Sequence, residues 1–294
     1  MSEAMVVGGP YRSKELEFSV NGLKLTAKSW GEASGVPTIA LHGWLDNANS
    51  YDRLAPLLPE LDLIALDFAG HGFSSHRPEG VHYTSLLDVQ DVIAVANELE
   101  WTRFNLIGHS MGAAVASELT GLFPERVNRA VMIDGFVHHN GDAHEAVRAS
   151  REAIEQMLNP SPRRAPVYPD LDAMIRRVSQ ATDQSWDAAA ILVARGHRRV
   201  RDGYGWRTDR RIRFSSPHRM SDEQLDALMQ RASVPSLLIV AERGDLWYRD
   251  GIARRAAHHP ALTVERLDGP HHIHLETQVP QVAALVRSFF ELPA

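Results

Sequence analysis

The sequence predicts an α/β protein with a mostly parallel sheet, helices on both faces and an inserted helical cap. The first observation is that short apolar strands alternate with amphipathic helices in residues 16–134 and again from residue 234. Such alternation favours parallel strands joined by right-handed crossovers. The second observation is that strand signals stop between these two regions, where only helical periodicity continues. We therefore expect a core of residues 1–135 and 234–294 that carries a helical cap of residues 136–233.

The predicted core elements follow in chain order. Residues 16–20 and 23–27 alternate around Asn21-Gly22, which is the pattern of a tight hairpin, so the sheet begins antiparallel. One-sided apolar patterns predict helices at residues 85–100, at residues 249–258 and from residue 280. The six remaining strands are short and apolar, which is typical of buried parallel strands, and they cover residues 37–41, 61–67, 104–109, 129–134, 234–240 and 262–267.

The composition limits the classes of function to be considered. The chain has 294 residues, a net charge of −6 and no cysteine, which excludes disulfides, thiolate metal sites and a cysteine nucleophile. No apolar run reaches the length of a membrane span, and residues 1–14 lack the pattern of a signal peptide. We therefore expect a cytoplasmic protein with no membrane partner.

Residues 195–213 are rich in arginine, with eight Arg and two Asp. Such a run is usually a solvated surface with local ion pairs, and the acidic net charge of the whole chain argues against a nucleic-acid partner. The alternative interpretation is a site for an anionic substrate. Within this run, the stretch Gly203-Tyr204-Gly205-Trp206 brings aromatic side chains into the cap, and we expect Trp206 to line an acyl pocket.

Residues 104–114 combine a buried strand, the turn Gly108-His109-Ser110-Met111-Gly112 and the start of a helix. A serine in this kind of turn has a strained backbone and an exposed hydroxyl, and bulky neighbours would clash with it. Gly108 and Gly112 meet that requirement, and the amides at the helix N-terminus point toward developing negative charge. Since a G-x-S-x-G pattern alone is common, the strand and the helix around it are what identify Ser110 as a nucleophile.

A serine nucleophile needs a base, and the histidine is expected in the loop after the last strand. That loop contains Gly269-Pro270-His271-His272-Ile273-His274. We favour His271 because it directly follows the Gly-Pro turn, and His272 is the alternative. His271 and His274 also form a His-x-x-His pair, but no third metal ligand has a recognisable spacing, so we expect neither a metal nor a cofactor.

The oxyanion hole of such a site uses one amide directly after the nucleophile and a second amide from the loop after the third strand. In this chain these amides belong to Met111 and Trp44. Gly43 allows the second loop to fold tightly over the serine. Together with Trp206, we expect His42, Gly43 and His109 to lie at the substrate pocket.

Three motifs together resemble the serine hydrolase-like proteins of the α/β-hydrolase fold. They are residues 42–50 (HGWLDNANS), residues 67–76 (DFAGHGFSSH) and the Gly-His-Ser-Met-Gly turn. The resemblance extends across most of the chain and is weakest in the cap. It implies the α/β-hydrolase fold, with an eight-stranded, mostly parallel sheet and an inserted cap. It also implies a Ser-His-acid hydrolase without a cofactor.

The acid of the triad has two candidate positions. Many α/β-hydrolases carry it after the seventh strand in a G-x-x-D pattern, but here Gly244 occupies that register and Asp245 follows one residue later. The family that the chain resembles often has it at the end of the sixth strand, which is Asp134 in this chain. We therefore expect Asp134, with Asp245 as the alternative and Glu242 as a third candidate.

The predicted function is the cleavage of a small to medium carboxylic ester through an acyl-enzyme. The alternative from another class is a small-molecule receptor on a hydrolase scaffold, because a fold does not establish catalysis. C–C bond hydrolysis, lactone opening and peroxyacid formation by the same triad also stay open. Ser110 argues against haloalkane and epoxide hydrolysis, which use an aspartate nucleophile in this fold.

Overall fold

The computed structural model describes residues 13–137, 143–160, 165–244 and 252–293. Across these ranges the strands are β1 (Lys14–Val20), β2 (Leu23–Trp30), β3 (Val36–Leu41), β4 (Leu61–Leu66), β5 (Phe104–His109), β6 (Val127–Ile133), β7 (His197–Val200), β8 (Gly203–Trp206), β9 (Ser236–Arg243) and β10 (Leu262–Pro270). Eight of them form one sheet in the order β1-β2-β4-β3-β5-β6-β9-β10. β2 is antiparallel to both of its neighbours, and the other neighbouring pairs of this sheet are parallel. The prediction of a mostly parallel, eight-stranded sheet is confirmed.

Helices cover both faces of the sheet, as the alternation predicts. They are α1 (Ser85–Glu98), α2 (Met111–Leu122), α3 (Ala143–Leu158), α4 (Leu171–Thr182), α5 (Trp186–Gly196), α6 (Asp222–Arg231), α7 (Ile252–His258) and α8 (Val279–Phe289). α1 begins where the Thr84 side chain accepts a hydrogen bond from the Leu87 amide, and it packs with α2 in one hydrophobic core. α8 packs in a second core. Within the part of the chain that the structure describes, no helix is both long and apolar enough to cross a membrane.

Residues 143–231 are inserted between β6 and β9, which are neighbours in the sheet. The expectation that this region holds helices and no strand was wrong, because β7 and β8 pair as an antiparallel hairpin with His197 opposite Trp206. The sequence of β7 has no apolar alternation, since Arg198 and Arg199 stand at its centre, and both of these residues are exposed. The Arg199 guanidinium instead lies 5.0 Å from the centroid of the Tyr204 ring, so the strand pair is supported by cation–π contact.

Several contacts attach the inserted region to the core, and two of them involve α5 and α6. Arg195 of α5 is buried and donates hydrogen bonds to Asp67, at 2.8 Å, and to Glu15 of β1, at 2.7 Å. α6 packs in the core cluster that contains α1 and α2, and a Cβ at Gly121 of α2 would overlap the Leu228 backbone. The boundary predicted at residue 233 therefore follows a helix that is already part of the core packing.

Candidate active site

The turn between β5 and α2 has the backbone geometry that the sequence predicts. Ser110 adopts φ +50° and ψ −113°, a combination that costs energy in a residue with a side chain. Its amide donates a 3.0 Å hydrogen bond to the Ile133 carbonyl, which holds the turn against β6. Side chains at Gly108 or Gly112 would overlap backbone atoms, including the Gly112 and Leu41 carbonyl oxygens respectively. The two glycines therefore allow the chain to present Ser110 at this tight turn.

His271 and Asp134, which are 137 residues apart in the chain, meet at the carboxyl ends of the strands. His271 Nδ1 lies 2.5 Å from Asp134 Oδ2. The Asp134 carboxylate is fully buried, whereas the His271 imidazole is 16% exposed. One side of the ring therefore faces the protein, and another side is accessible to solvent. Since the carboxylate accepts from Nδ1, the neutral ring carries its lone pair on Nε2.

Asp134 is fixed by its surroundings as well as by His271. Its Oδ1 accepts a 3.0 Å hydrogen bond from the Ala241 amide of β9, and its own amide donates to the Ile239 carbonyl at 2.7 Å. The residue adopts φ +42°, so its backbone is strained where β6 ends. A Cβ at Gly244 would overlap the Asp134 carboxylate, so the glycine at that register leaves the space that Asp134 fills.

The other candidates for the acid and the base have different positions. Glu242 is exposed to solvent, and Asp245 lies outside the described residues. His272 is buried, and its Nε2 lies 3.2 Å from Asp46 Oδ2 rather than from Asp134. Among the described residues, the structure thus brings His271, and not His272, to the predicted carboxylate.

The loop after β3 approaches the nucleophile turn closely. A Cβ at Gly43 would lie 2.9 Å from the His109 ring, so only glycine fits at that distance. The Asp46 amide donates to the Gly43 carbonyl at 3.1 Å, which closes the turn around Trp44, and Leu45 adopts φ +68°. Met111 is the first residue of α2, where helical amides lack partners within the helix. The role of the Trp44 and Met111 amides as oxyanion donors stays a prediction.

His42 is buried and makes hydrogen bonds to the backbone on both sides of its ring. Its Nε2 accepts a 3.1 Å hydrogen bond from the Phe68 amide, so Nδ1 carries the hydrogen that it donates to the Gly43 carbonyl at 2.8 Å. Burial lowers the pKa of His42 to about 4, which keeps the ring neutral. Like His42, His109 has no accessible surface, and the expected place of both residues at the substrate pocket stays a prediction.

Trp206 lies in a small aromatic cluster of the inserted region. Its ring meets the Tyr168 ring edge to face at 6.0 Å, and its indole nitrogen lies 3.4 Å from the Tyr168 hydroxyl. Both residues pack beside buried side chains of α4 and α5, including Met174 and Val193. The cluster supplies an apolar surface in the inserted region, and contact of Trp206 with an acyl group stays a prediction.

The carboxylate of Asp46 is a site group that was not predicted from the sequence. Asp46 Oδ2, His109 Nδ1 and His272 Nε2 lie within 4.8 Å of one another, and all three residues are buried. Two imidazoles and a carboxylate are ligand types that zinc accepts, although the 3.2 Å between Asp46 and His272 is also a hydrogen-bond length. The His-x-x-His pair is arranged differently, since His271 faces Asp134 and His274 Nε2 lies 2.8 Å from Ser50 Oγ. Asp46 lies inside the motif of residues 42–50, but its partners are more than 60 residues away in the chain.

Comparisons with known proteins agree with this architecture. The family model described as the alpha/beta hydrolase fold matches residues 37–278. A serine hydrolase-like protein of Danio rerio is 30% identical over 294 aligned residues, which cover 95% of this chain and 89% of that protein. Serine hydrolase-like protein 2 of Homo sapiens is 34% identical over 206 residues, covering 68% of this chain and 66% of that protein. The crystal structure of a hypothetical protein from Pseudomonas aeruginosa PAO1 superposes with a TM-score of 0.90 at 38% identity, covering 94% of this chain and 99% of that one.

Proposed function

The chain belongs to the α/β-hydrolase family, within the serine hydrolase-like group, and we propose that it is a carboxylesterase acting on small to medium esters. In this proposal Ser110 is the nucleophile, His271 is the base and Asp134 is the acid. The observation that carries the proposal is the 2.5 Å contact between His271 Nδ1 and Asp134 Oδ2 at the strand ends beside the Ser110 turn. The meeting of two residues so distant in sequence supports the roles of base and acid that an acyl-transfer site requires.

The proposed reaction begins with attack of the Ser110 hydroxyl oxygen on the ester carbonyl carbon. Asp134 accepts from Nδ1 and so leaves Nε2 free to remove the hydroxyl proton. The tetrahedral intermediate collapses with loss of the alcohol, which takes the proton from His271. Water, deprotonated by His271, then attacks the acyl-enzyme and releases the carboxylic acid and Ser110. Each proton therefore moves through one ring nitrogen.

The negative oxygen of the tetrahedral intermediate needs hydrogen-bond donors that are already in place. We propose the amides of Trp44 and Met111. Two features support this choice: the Trp44 turn packs on the residue before Ser110, and Met111 is the first residue of α2, whose dipole favours negative charge. The strain at Leu45, with φ +68°, is consistent with a turn held in a defined conformation for this purpose.

A panel of p-nitrophenyl esters of graded chain length tests the proposal. We expect the wild type to hydrolyse at least one ester and to be labelled by a fluorophosphonate on the peptide that contains Ser110. The Ser110→Ala variant should lose both properties, with kcat lower by about 10⁴ or more. Ser117→Ala is the matched control, because Ser117 lies about two turns further along α2 and only its hydroxyl bond to the Ala113 carbonyl is removed.

Persistence of labelling or hydrolysis in Ser110→Ala would remove Ser110 as the nucleophile. Tight, saturable binding of a small molecule without turnover of any ester would instead favour the receptor class. Turnover of lactones or C–C substrates, but not of simple esters, would retain the triad and change the bond that it cleaves.

A further inference from the structure

A buried polar cluster joins the loops that carry the proposed catalytic groups. It consists of Asp46 after β3, His109 at the end of β5, and His272 and His274 after β10, and we call it the histidine cluster. All four side chains are buried. Burying this many polar groups is costly unless they bond to one another, so the arrangement calls for a structural or functional reason.

His109 holds the main chain of the base. Its Nε2 lies 3.1 Å from the carbonyl oxygen of His271, and a carbonyl only accepts, so Nε2 must carry the hydrogen. The His109 ring also packs against the rings of His271, His272 and His274, with centroid distances of 4.6, 4.6 and 4.2 Å. The residue before the nucleophile therefore determines where the loop of the base lies.

Asp46 links the same loop to the turn around Trp44. Its carboxylate accepts from His272 Nε2 at 3.2 Å, while its amide closes the turn by donating to the Gly43 carbonyl at 3.1 Å. Although burial alone would raise the pKa of Asp46, the neighbouring His272 holds it well below its usual range. Asp46 is thus a charged acceptor, and charged acceptors make the stronger hydrogen bonds.

We propose that Asp46 and His109 are positioning residues that hold the oxyanion turn and the main chain of His271 in fixed relation to Ser110. This inference rests on the proposed function, because it concerns the placement of that base and of the Trp44 amide. Asp134 fixes the rotation of the His271 ring, whereas His109 fixes the backbone from which the ring extends. Without His109 the ring can keep its bond to Asp134 while its Nε2 moves relative to Ser110.

Two substitutions of His109 separate positioning from simple packing. His109→Leu removes the donor to the His271 carbonyl, and a displacement of about 1 Å at the reacting atoms can cost about 100-fold in rate. We expect kcat to fall by that factor with KM nearly unchanged. His109→Gln retains an N–H group at a similar distance from the backbone, so it should recover most of the lost kcat. Asp46→Asn, which preserves shape, should lower kcat in the same way.

A second readout does not depend on turnover. The proton shared by His271 Nδ1 and Asp134 should give a far-downfield NMR resonance, which we expect to shift or broaden in His109→Leu and to return in His109→Gln. The control is His259→Leu, since His259 is also buried but bonds only locally, to the Ala261 amide, among the contacts described. This control should lower stability and leave kcat and the resonance unchanged.

Three results would overturn the proposal. The first is equal kcat in His109→Leu and His259→Leu with an unchanged resonance. The second is a His109→Gln variant that is as impaired as His109→Leu. The third is one equivalent of zinc in the purified protein that is lost in Asp46→Asn, which would make the cluster a metal site. Absence of esterase activity in the wild type would count against the proposed function, while the NMR comparison would still test the positioning.

Discussion

The strand-end loops of the core and the inserted region differ in what they bury. The loops that follow β3, β5, β6 and β10 bury charged and imidazole groups, including Asp46, His109 and Asp134. Within the inserted region, α3 differs from these loops, since it exposes large apolar side chains: Val147 is 70% exposed and Leu158 is 73% exposed. Polar groups are thus buried around the proposed site, whereas α3 presents apolar side chains to solvent.

This difference suggests that the core loops determine the rate and that the inserted region determines the selectivity. Buried polar groups hold their positions because every loss of a partner is costly. Exposed apolar side chains are free to adapt to an acyl chain of variable length. The regions are nevertheless connected, because the Asn47 side chain after β3 donates a 2.9 Å hydrogen bond to the Leu192 carbonyl of α5. Substitutions in the loops should therefore change rate, and substitutions in the inserted region should change selectivity.

The largest effect is expected for the proposed base. Because triad residues act as a unit, His271→Ala should lower kcat by about 10⁴ or more with little change in KM. Steady-state kinetics on the best ester of the panel measures this. If His271→Ala stays near wild-type activity while His272→Ala is inactive, His272 is the base. The buried His272 would then belong to the catalytic groups of the core loops.

Two leucine substitutions compare the packing of the regions directly. Leu63→Ala in β4 removes a side chain with no accessible surface, so we expect the free energy of unfolding to fall by about 2–5 kcal/mol. Leu158→Ala in α3 alters a side chain that is 73% exposed, and we expect a change within about 0.5 kcal/mol. Urea unfolding of both variants gives the comparison. A large loss in Leu158→Ala would show that α3 is covered in solution.

A buried acid in the core should make stability depend on pH. Burial raises the pKa of Glu118 in α2 to about 7 from 4.5, so its stabilising contribution is complete below pH 4.5 and is lost as the pH rises through about 7. Glu118→Gln should remove this loss, which amounts to about 3 kcal/mol at pH 8. Unfolding of both proteins between pH 4.5 and 8 measures it. Asp88, whose pKa burial also raises to about 7, is present in both, so parallel curves would exclude a raised pKa for Glu118.

The smallest effect is expected for the aromatic cluster of the inserted region. Trp206→Ala removes an indole that packs on Tyr168, and we expect the preference between long and short esters to change by about tenfold. The rate on the shortest ester should stay close to that of the wild type. Equal losses on every ester of the panel would mean that Trp206 supports the fold and does not contact the acyl chain.

The elements that could be predicted from the sequence are those determined by neighbouring residues. The strands of the core bury both faces and so read as apolar runs, and the Ser110 turn needs glycines on either side within five residues. The apolar run before Asp134 predicted that this residue lies at the end of a strand. The glycine at position 244, where the carboxylate of a G-x-x-D pattern would lie, and the likeness to known proteins together favoured Asp134 over Asp245.

The remaining features depend on partners that are distant in the chain. β7 carries exposed arginines, and its pairing with β8 depends on Tyr204, whose ring contacts Arg199 and whose backbone pairs with Tyr168. Asp46 lies in the motif of residues 42–50, but its role depends on His272, which is 226 residues away in the chain. The burial of His42 and His109 likewise depends on distant parts of the chain, and their place at the pocket stays a prediction.

The central claim is that Asp134, at the end of β6, orients His271, and one pair of substitutions tests it most directly. Asp134→Asn should leave the fold intact and lower kcat by about 10³ to 10⁴, because an amide favours the wrong imidazole tautomer and does not stabilise the imidazolium. Asp245→Asn should behave nearly as the wild type. An inactive Asp245→Asn beside an active Asp134→Asn would contradict the account and move the carboxylate to the loop after β9.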